Sequence, residues 1–259
     1  MDIKSFDSLF ARLEDLKKCA IRGNLGISAF FSPREIHAGE EYLKRGGAAF
    51  ISFGGYSLAE RKRIYLLPDF MESIGDAAEL DEYGFSTDID ALLIKGSGFE
   101  KISHRAVMGS ILGLGVERDV VGDIVMLDDF RAVVFCDSKM SAFFTEGLLR
   151  VGRDKVSVER IELDETILPA KRTVRISDTV ASARLDCVVA ALCSLSRERA
   201  KERIEDSLVE LDYEIVERPD KEVNAPAVIS VRGVGKFSVI SLEEKTKKGR
   251  TRLVAEKFL

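Results

Sequence analysis

The order of predicted elements between residues 89 and 161 constrains the fold of this chain more than any other feature. An apolar run over residues 89–94 predicts a strand, and the apolar spacing over residues 104–114 predicts a helix that ends at two glycines. Two strands, a helix and a last strand are then predicted, over residues 124–127, 132–135, 140–149 and 156–161. The order β-α-β-β-α-β therefore indicates an α+β protein.

This element order is shared by ferredoxin-like and RNA-recognition-motif (RRM) domains, so an RRM-like domain is predicted over residues 81–168. The order alone is compatible with many functions. An RRM sheet stacks bases on aromatic residues of its central strands. Residues 132–135 offer only Phe135, and residues 89–94 offer no aromatic residue. Base stacking on this sheet is therefore not expected.

Residues 1–80 predict a separate, small α/β unit. Apolar residues at spacings of three and four predict a first helix that ends near Arg22. A second helix is predicted to begin after Ser32, with Pro33 at its first position and Glu35 completing a capping box. Two strands are predicted to follow, over residues 49–53 and 63–67.

Composition narrows the classes of function. The 259 residues contain no apolar stretch of the length a transmembrane helix needs, and the N-terminus lacks the pattern of a signal peptide. The four cysteines are scattered and the chain has only two histidines, which argues against a disulfide framework, a zinc site or a His-based hydrolase. We predict a cytoplasmic protein without membrane contact, catalytic residues, metal or cofactor. Its oligomeric state is left open, with a monomer favoured.

Charge is distributed unevenly along the chain. The net charge is −5, yet residues 171–259 hold 18 Lys and Arg against 15 Asp and Glu, while the other 170 residues hold 21 against 29. A weakly basic C-terminal part thus follows an acidic body, which hints at an anionic partner. The polar, basic stretch over residues 169–179 is predicted to be a linker between the two.

The last 80 residues predict two helices followed by β-structure. Leu185, Val188 and Leu192 form one apolar helix face, and Ser196 is the predicted N-cap of a second helix over residues 197–207. That helix has four cations and four anions, which the helical wheel separates by face. Glu198 and the other anions are assigned to the face opposite the cations. Strands are predicted over residues 208–216, 228–232, 236–240 and 252–258.

This C-terminal pattern resembles the S4 RNA-binding domain. The matching residues are Arg184-Leu185-Asp186, Ser196-Arg197, Ala200, Ile204 and the strand over 229–233. The resemblance implies an S4 domain of the αL type over residues 180–259, with two helices, a small β-sheet and phosphate contacts at the second helix. A basic segment over residues 245–252 is either a flexible hairpin tip or a basic finger that contacts rRNA. The predicted RNA-binding residues are Arg184, Ser196, Arg197, Arg199, Lys201, Arg203, Arg232, Lys247, Lys248 and Arg250.

Over nearly its whole length the chain resembles the YlmH family of bacterial S4-domain proteins. The segments that carry this resemblance are Phe53-Gly54-Gly55-Tyr56, Ala59-Glu60-Arg61-Lys62-Arg63, His104-Arg105, Gly122-Asp123-Ile124 and Thr246-Lys247-Lys248-Gly249-Arg250. The resemblance implies an RNA-binding protein associated with the ribosome, with rRNA of the large subunit and tRNA as partners. It also implies a role in rescue or quality control of stalled large subunits.

Several alternatives remain open at this stage. The tripeptide ending in Asp186 also occurs at the catalytic aspartate of pseudouridine synthases, so an RNA-modifying enzyme is the main rival. Helix capping or pairing with arginine is the favoured role of Asp186. An interaction factor in cell division is a third reading. Arg61, Lys62 and Arg63 are either structural or a second RNA contact, and His104 is interpreted as a capping or buried polar residue.

Overall fold

The computed structural model describes residues 6–71, 73–170, 173–245 and 249–258. The chain divides into two compact units, an N-terminal unit of residues 2–169 and a C-terminal unit of residues 170–259. Both combine helices with β-sheet, which confirms the prediction of an α+β protein. No helix in the described ranges has the length and apolar character needed to cross a membrane.

The N-terminal unit begins with two helices packed on a three-stranded sheet. The second helix starts as predicted: the Ser32 hydroxyl accepts a hydrogen bond from the Glu35 backbone N–H, and the Glu35 carboxylate accepts one from the Ser32 backbone N–H. Leu13, Leu43 and Ile64 are fully buried between the layers. The elements are α1 (Asp7–Ile21), β1 (Gly26–Ile27), α2 (Pro33–Arg45), β2 (Phe50–Phe53) and β3 (Arg63–Leu66), with strand order β1-β3-β2.

The second part of this unit has the predicted β-α-β-β-α-β order with one addition. Its antiparallel sheet has the strand order β5-β6-β4-β8-β7, and both helices contribute to the core on one face of it, around Val107, Val134 and Phe144. The added strand β7 has only two residues, which is too short for an alternation of apolar and polar residues to predict it. The elements are β4 (Ile89–Gly96), α3 (His104–Leu112), β5 (Val121–Met126), β6 (Arg131–Asp137), α4 (Ser141–Gly147), β7 (Arg150–Val151) and β8 (Asp154–Ile161).

The opposite face of this five-stranded sheet is covered by the chain's own residues. Tyr56 stacks on Phe135, with ring centroids 4.7 Å apart, and its hydroxyl donates to Asp123 at 2.9 Å. Gly55 permits this approach, because it has φ +97° and a Cβ there would lie 2.4 Å from the Phe135 ring. The aromatic residue that could have stacked a base is thus used in the core, with an exposed fraction of 1%.

Two arginines next to this contact have structural roles. Arg61 donates to the carbonyls of Phe30 at 2.8 Å and Val121 at 3.1 Å. Arg63, with 3% of its surface exposed, forms an ion pair with Asp137 and donates to the Asp88 carbonyl at 3.0 Å. These side chains connect the two sheets of the N-terminal unit, which supports the structural interpretation of Arg61 and Arg63, and a second RNA contact by this segment stays a prediction.

The C-terminal unit is a six-stranded antiparallel sheet with two helices. Its strand order is β11-β10-β12-β13-β14-β9, and its core includes Leu185, Ile204 and Phe237, each fully buried. The sheet is larger than the small sheet that was predicted. The elements are β9 (Thr173–Val180), α5 (Leu185–Cys193), α6 (Arg197–Glu205), β10 (Val209–Leu211), β11 (Glu214–Ile215), β12 (Ala227–Val231), β13 (Gly235–Lys245) and β14 (Thr251–Phe258).

The extra strand of this sheet corrects the prediction of a linker over residues 169–179. Thr173–Val180 forms β9, which pairs with the whole of β14 from Thr251↔Val180 to Phe258↔Thr173. The basic residues Lys171, Arg172 and Arg175 were the reason for predicting a linker. Val174, Ile176 and Val180 have the β-branched character of a strand. β9 is an edge strand, so its backbone forms hydrogen bonds with β14 while its polar side chains remain exposed to water.

Candidate nucleic-acid interface

Asp186 lies where α5 begins and organises two arginines. Its carboxylate, 3% exposed, accepts hydrogen bonds from Arg184 Nε at 3.2 Å and Nη2 at 3.1 Å. Arg197, the first residue of α6, donates to the same carboxylate through Nε at 3.0 Å, with Nη2 at 2.9 Å. The Cys187 backbone N–H adds a bond at 2.9 Å. One buried carboxylate therefore holds two guanidinium groups next to the α6 N-terminus.

Asp186 stays ionised in this environment. Burial acts to raise its pKa, but the hydrogen bonds from Arg184 and Arg197 outweigh burial and lower the pKa below the ordinary range of aspartate. Of the two favoured roles of Asp186, helix capping and pairing with arginine, the geometry shows pairing with arginine. Because each guanidinium has five N–H donors, both arginines keep further donors for another anion.

The two arginines line an open cleft of about 660 Å³. Lys201 lies one turn along α6 from Arg197 and forms an ion pair of 3.5 Å with Glu205. Ser196 caps the helix, because its hydroxyl accepts a hydrogen bond from the Arg199 backbone N–H at 3.3 Å. The described residues that line the cleft are Arg184, Asp186, Ser196, Arg197, Glu198, Lys201, Pro219 and Asp220.

One of these residues corrects the helical-wheel assignment. Glu198 was placed on the sector opposite the cations, but it lines the cleft together with Arg197 and Lys201. It is the second residue of α6 and lies only about 60° from Lys201 around the helix axis, and the helix dipole favours an acidic group in this first turn. The cleft therefore contains fixed negative as well as positive charge.

A second cleft of about 390 Å³ extends the basic surface. It is lined by both Arg197 and Arg250, and Arg250 donates to the Thr179 hydroxyl at 3.1 Å and to the Thr179 carbonyl at 2.6 Å. Arg197 thus borders both clefts. The second cleft therefore connects the predicted site at the α6 N-terminus with Arg250, which directly precedes β14.

The remaining predicted residues lie elsewhere. Arg199 is exposed and does not line either cleft. Arg203 donates to the Arg232 carbonyl at 3.1 Å, and Arg232 lines a different surface depression beside Ser207 and Gly233. Lys247 and Lys248 lie outside the residues that the structure describes. The structure therefore brings together Arg184, Ser196, Arg197, Lys201 and Arg250.

The loop before β12 contributes to the cleft in a way that the sequence analysis missed. The Pro219 carbonyl accepts from the Asp186 backbone N–H at 3.0 Å, and the Lys221 carbonyl accepts from Leu185 N–H at 2.8 Å. These bonds satisfy the first amides of α5. Asp220 lines the cleft, and its hydrogen bond from Arg218 lowers its pKa. A Pro-Asp pair is an ordinary turn signal, so its place here could not be recognised from sequence.

The arrangement suits the binding of phosphate groups. Two oriented guanidinium groups, a lysine one turn away and a capped helix N-terminus all favour an anion at the same place. Nothing in the geometry provides Asp186 with a proton to exchange, since both carboxylate oxygens accept from arginine. Within the described ranges, no group of three or more His, Cys, Asp or Glu side chains could hold a metal ion.

Comparison with known proteins agrees with this picture. The family profile described as "Putative RNA-binding domain in YlmH" matches residues 88–165. The "Ribosome-associated protein quality control protein P2" of Bacillus subtilis (strain 168) is 29% identical over 232 residues, which cover 89% of this chain and 86% of the relative. The solved structure titled "Cell division protein ylmH from Streptococcus pneumoniae" shares the fold at a TM-score of 0.50 and 23% identity, over 62% of this chain and 91% of that one.

The resemblance read from the sequence is therefore confirmed by a matching domain, a relative aligned over most of both chains, and a shared fold. The match to the family's RNA-binding domain coincides with the strands and helices from β4 to β8. The alignment with the relative extends far beyond that domain. The chain is therefore similar to the YlmH proteins, and its residues 88–165 match the profile of a domain found in them.

Proposed function

We propose that this chain is a non-enzymatic RNA-binding protein of ribosome-associated quality control. In this proposal the C-terminal unit is an S4 domain that holds rRNA of the large subunit through phosphate contacts, and tRNA is a second RNA partner. The printed name of the Bacillus relative supports the ribosomal role, and the matched family profile supports RNA binding. The process would be the rescue of stalled large subunits.

One observation carries the proposal. Arg184 and Arg197 are both fixed by the buried Asp186 at the N-terminus of α6, and their remaining donors line an open cleft. Fixing the side chains before binding reduces the conformational entropy lost when a phosphate is held. Phosphate contacts of this kind provide affinity for structured RNA without reading its sequence. That is the behaviour expected of a protein that recognises a ribosomal particle by shape and charge.

The wider proposal concerns organisation and location. We place the protein in the cytoplasm with the ribosomes, as a monomer without cofactor or membrane contact. Its three modules would be residues 1–80, residues 81–168 and residues 170–259, the last of which includes β9. Separate cores under the three-stranded and five-stranded sheets support the division of the N-terminal unit, and the compact C-terminal unit supports the third module.

We expect the purified protein to co-sediment with ribosomal large subunits in a salt-dependent manner. If roughly four to six phosphates are neutralised, the logarithm of the binding constant falls with the logarithm of the salt concentration with a slope of about −3 to −5. RNase treatment of the particles should abolish co-sedimentation. Binding that is insensitive to both salt and RNase would contradict the proposal and favour an interaction with protein, as a cell-division factor would need.

We also expect no RNA modification. When rRNA from cells that lack this protein is incubated with it, mass spectrometry of the nucleosides should show no new modified base, because the Asp186 carboxylate is engaged by two arginines. The control is the Asp186→Asn variant, which should give the same nucleoside profile as the parent. A modified base that appears with the parent and disappears with the variant would make the protein an RNA-modifying enzyme.

A further inference from the structure

The β7–β8 hairpin of the N-terminal unit carries positive charge that its own fold does not use. Residues 88–165 contain 15 Asp and Glu against ten Lys and Arg, so the region is acidic as a whole. Four of the ten cations form ion pairs, namely Lys95, Lys101, Arg131 and Arg160. Arg118 donates instead to the backbone carbonyls of Val121 and Gly122. The other five have no ion pair or side-chain hydrogen bond with any described residue: Arg105, Lys139, Arg150, Arg153 and Lys155.

Three of those five cations lie within six residues on one hairpin. Arg150 in β7 and Lys155 in β8 are directly opposite each other across the strand pair, and both are exposed. Like charges in opposite positions destabilise a strand pair. Arg153 is at the tip and is also exposed. The hairpin thus carries a repulsive pair and a third cation, and none of the three forms an ion pair with a described residue.

The hairpin is held in place from both sides. Gly152 has φ +60°, as the first residue of a two-residue hairpin loop requires, and its N–H donates to the Ser110 hydroxyl of α3 at 3.3 Å. Asp154 accepts from the Ser97 N–H at 2.9 Å and from its hydroxyl. The Ser97 hydroxyl, followed by its backbone N–H, lowers the pKa of Asp154, so this acid is ionised and anchored to Ser97, and residues 150–155 keep three cations against one anion.

The usual RNA surface of such a domain is not accessible here. Tyr56 covers Phe135 on the sheet face opposite the helices, and Ala91 and Val133 are buried under the same contact. The hairpin has no aromatic residue on which a base could stack. Its chemistry therefore fits the phosphate backbone of RNA rather than its bases.

We propose that the β7–β8 hairpin, through Arg150, Arg153 and Lys155, is a second phosphate-binding site that contacts the backbone of structured RNA. This site lies in the N-terminal unit and is additional to the cleft around Asp186 in the C-terminal unit. It deepens the proposed function and rests on it, since the RNA is the one that the whole chain binds. A site of this kind adds affinity and salt dependence without sequence preference.

The test removes the three cations in the full-length chain. The Arg150→Ala, Arg153→Ala, Lys155→Ala variant should bind ribosomal large subunits and protein-free rRNA about tenfold more weakly, with a salt slope reduced by about one to two units. Its thermal unfolding midpoint should equal or exceed that of the parent, because the repulsion between Arg150 and Lys155 is removed. Circular dichroism checks the fold.

A second variant provides a control with the same change in net charge. Lys95→Ala, Lys101→Ala, Arg131→Ala also removes three cations from this region, but each of them has an acidic partner within 2.8 Å. Exposed pairs of this kind contribute little to stability, so the control should fold and bind within about twofold of the parent. Equal losses in the two variants would mean that only overall charge matters, and they would overturn the assignment.

The remaining outcomes separate this inference from the proposed function. If the parent binds RNA and the hairpin variant binds equally well, the hairpin inference is wrong and the proposed function stands. If the variant is weaker on large subunits but equal to the parent on protein-free rRNA, the hairpin contacts an acidic protein and the RNA assignment is overturned. If the parent itself binds neither, the proposed function fails and the hairpin inference fails with it.

Discussion

Changing Arg63 to alanine should lower the free energy of unfolding of the N-terminal unit by about 3–5 kcal/mol, the range for removing one partner of a buried ion pair. Arg63 pairs with Asp137, donates to the Asp88 carbonyl at 3.0 Å and lies 4.8 Å from the centre of the Phe30 ring. The substitution removes the Arg63 donor from Asp137 Oδ2 and from the Asp88 carbonyl, which leaves these groups the backbone N–H of Lys139, at Oδ1, and of Ser138. Because whole domains are stable by only about 5–15 kcal/mol, this loss is large.

The measurement is urea unfolding followed by circular dichroism, with Lys62→Ala as the matched control. Lys62 is the neighbouring residue, and its substitution by alanine removes the same charge. Its side chain is only partly buried and forms no ion pair with the described residues. Its substitution should change the unfolding free energy by less than about 0.5 kcal/mol. An Arg63→Ala protein that is as stable as the parent but has lost RNA binding would support the reading of this segment as an RNA contact.

The double change Arg197→Ala, Lys201→Ala should weaken binding to ribosomal large subunits about tenfold to hundredfold and reduce the salt slope by about one to two units. Both side chains line the cleft, and Arg197 borders the second cleft as well. The fold should persist, because Asp186 keeps its bonds from Arg184 and the Cys187 N–H, and alanine is a good helix former. Co-sedimentation at two salt concentrations gives the affinity, and circular dichroism checks the fold.

The matched control is Glu198→Ala, Glu202→Ala on the same helix. Glu198 adds negative charge to the cleft lining and Glu202 is exposed, so this variant should bind as well as the parent or somewhat more tightly. The opposite pattern, with parent-like binding after the Arg197/Lys201 change and lost binding after the Glu198/Glu202 change, would show that the wrong face of α6 has been assigned.

Local signals were sufficient for most of the elements. The Ser32–Glu35 capping box and the Ser196 cap both define helix starts that the structure reproduces, because a cap is an interaction between residues close in sequence. The β-α-β-β-α-β order was also predictable from local signals, because each element is indicated by the apolar pattern of its own residues. The cluster of Arg184, Asp186 and Arg197 was only partly predictable. Its three residues were named from the sequence, but the sequence did not indicate that both arginines pair with the one Asp186 carboxylate.

The features that could not be predicted depend on distant partners. Arg63 and Asp137 are 74 positions apart, and nothing in the spacing of either residue indicates the other. β9 was misread because its charges were given more weight than its β-branched residues, while its pairing partner β14 lies at the far end of the chain. Glu198 was misassigned for a different reason, because an ideal helix already places it about 60° from Lys201, on the same edge of α6.

The covered sheet face has a consequence for how the protein is made. Tyr56 leaves the ribosome well before Phe135, on which it stacks, so during synthesis its ring and the adjacent Ala59 lack the partners that bury them. When β6 follows, the incomplete sheet in turn needs Tyr56 to cover its apolar side. The two sheets of the N-terminal unit should therefore reach their final packing together, late in translation. A fragment cut to residues 88–165 would expose that apolar face and tend to self-associate.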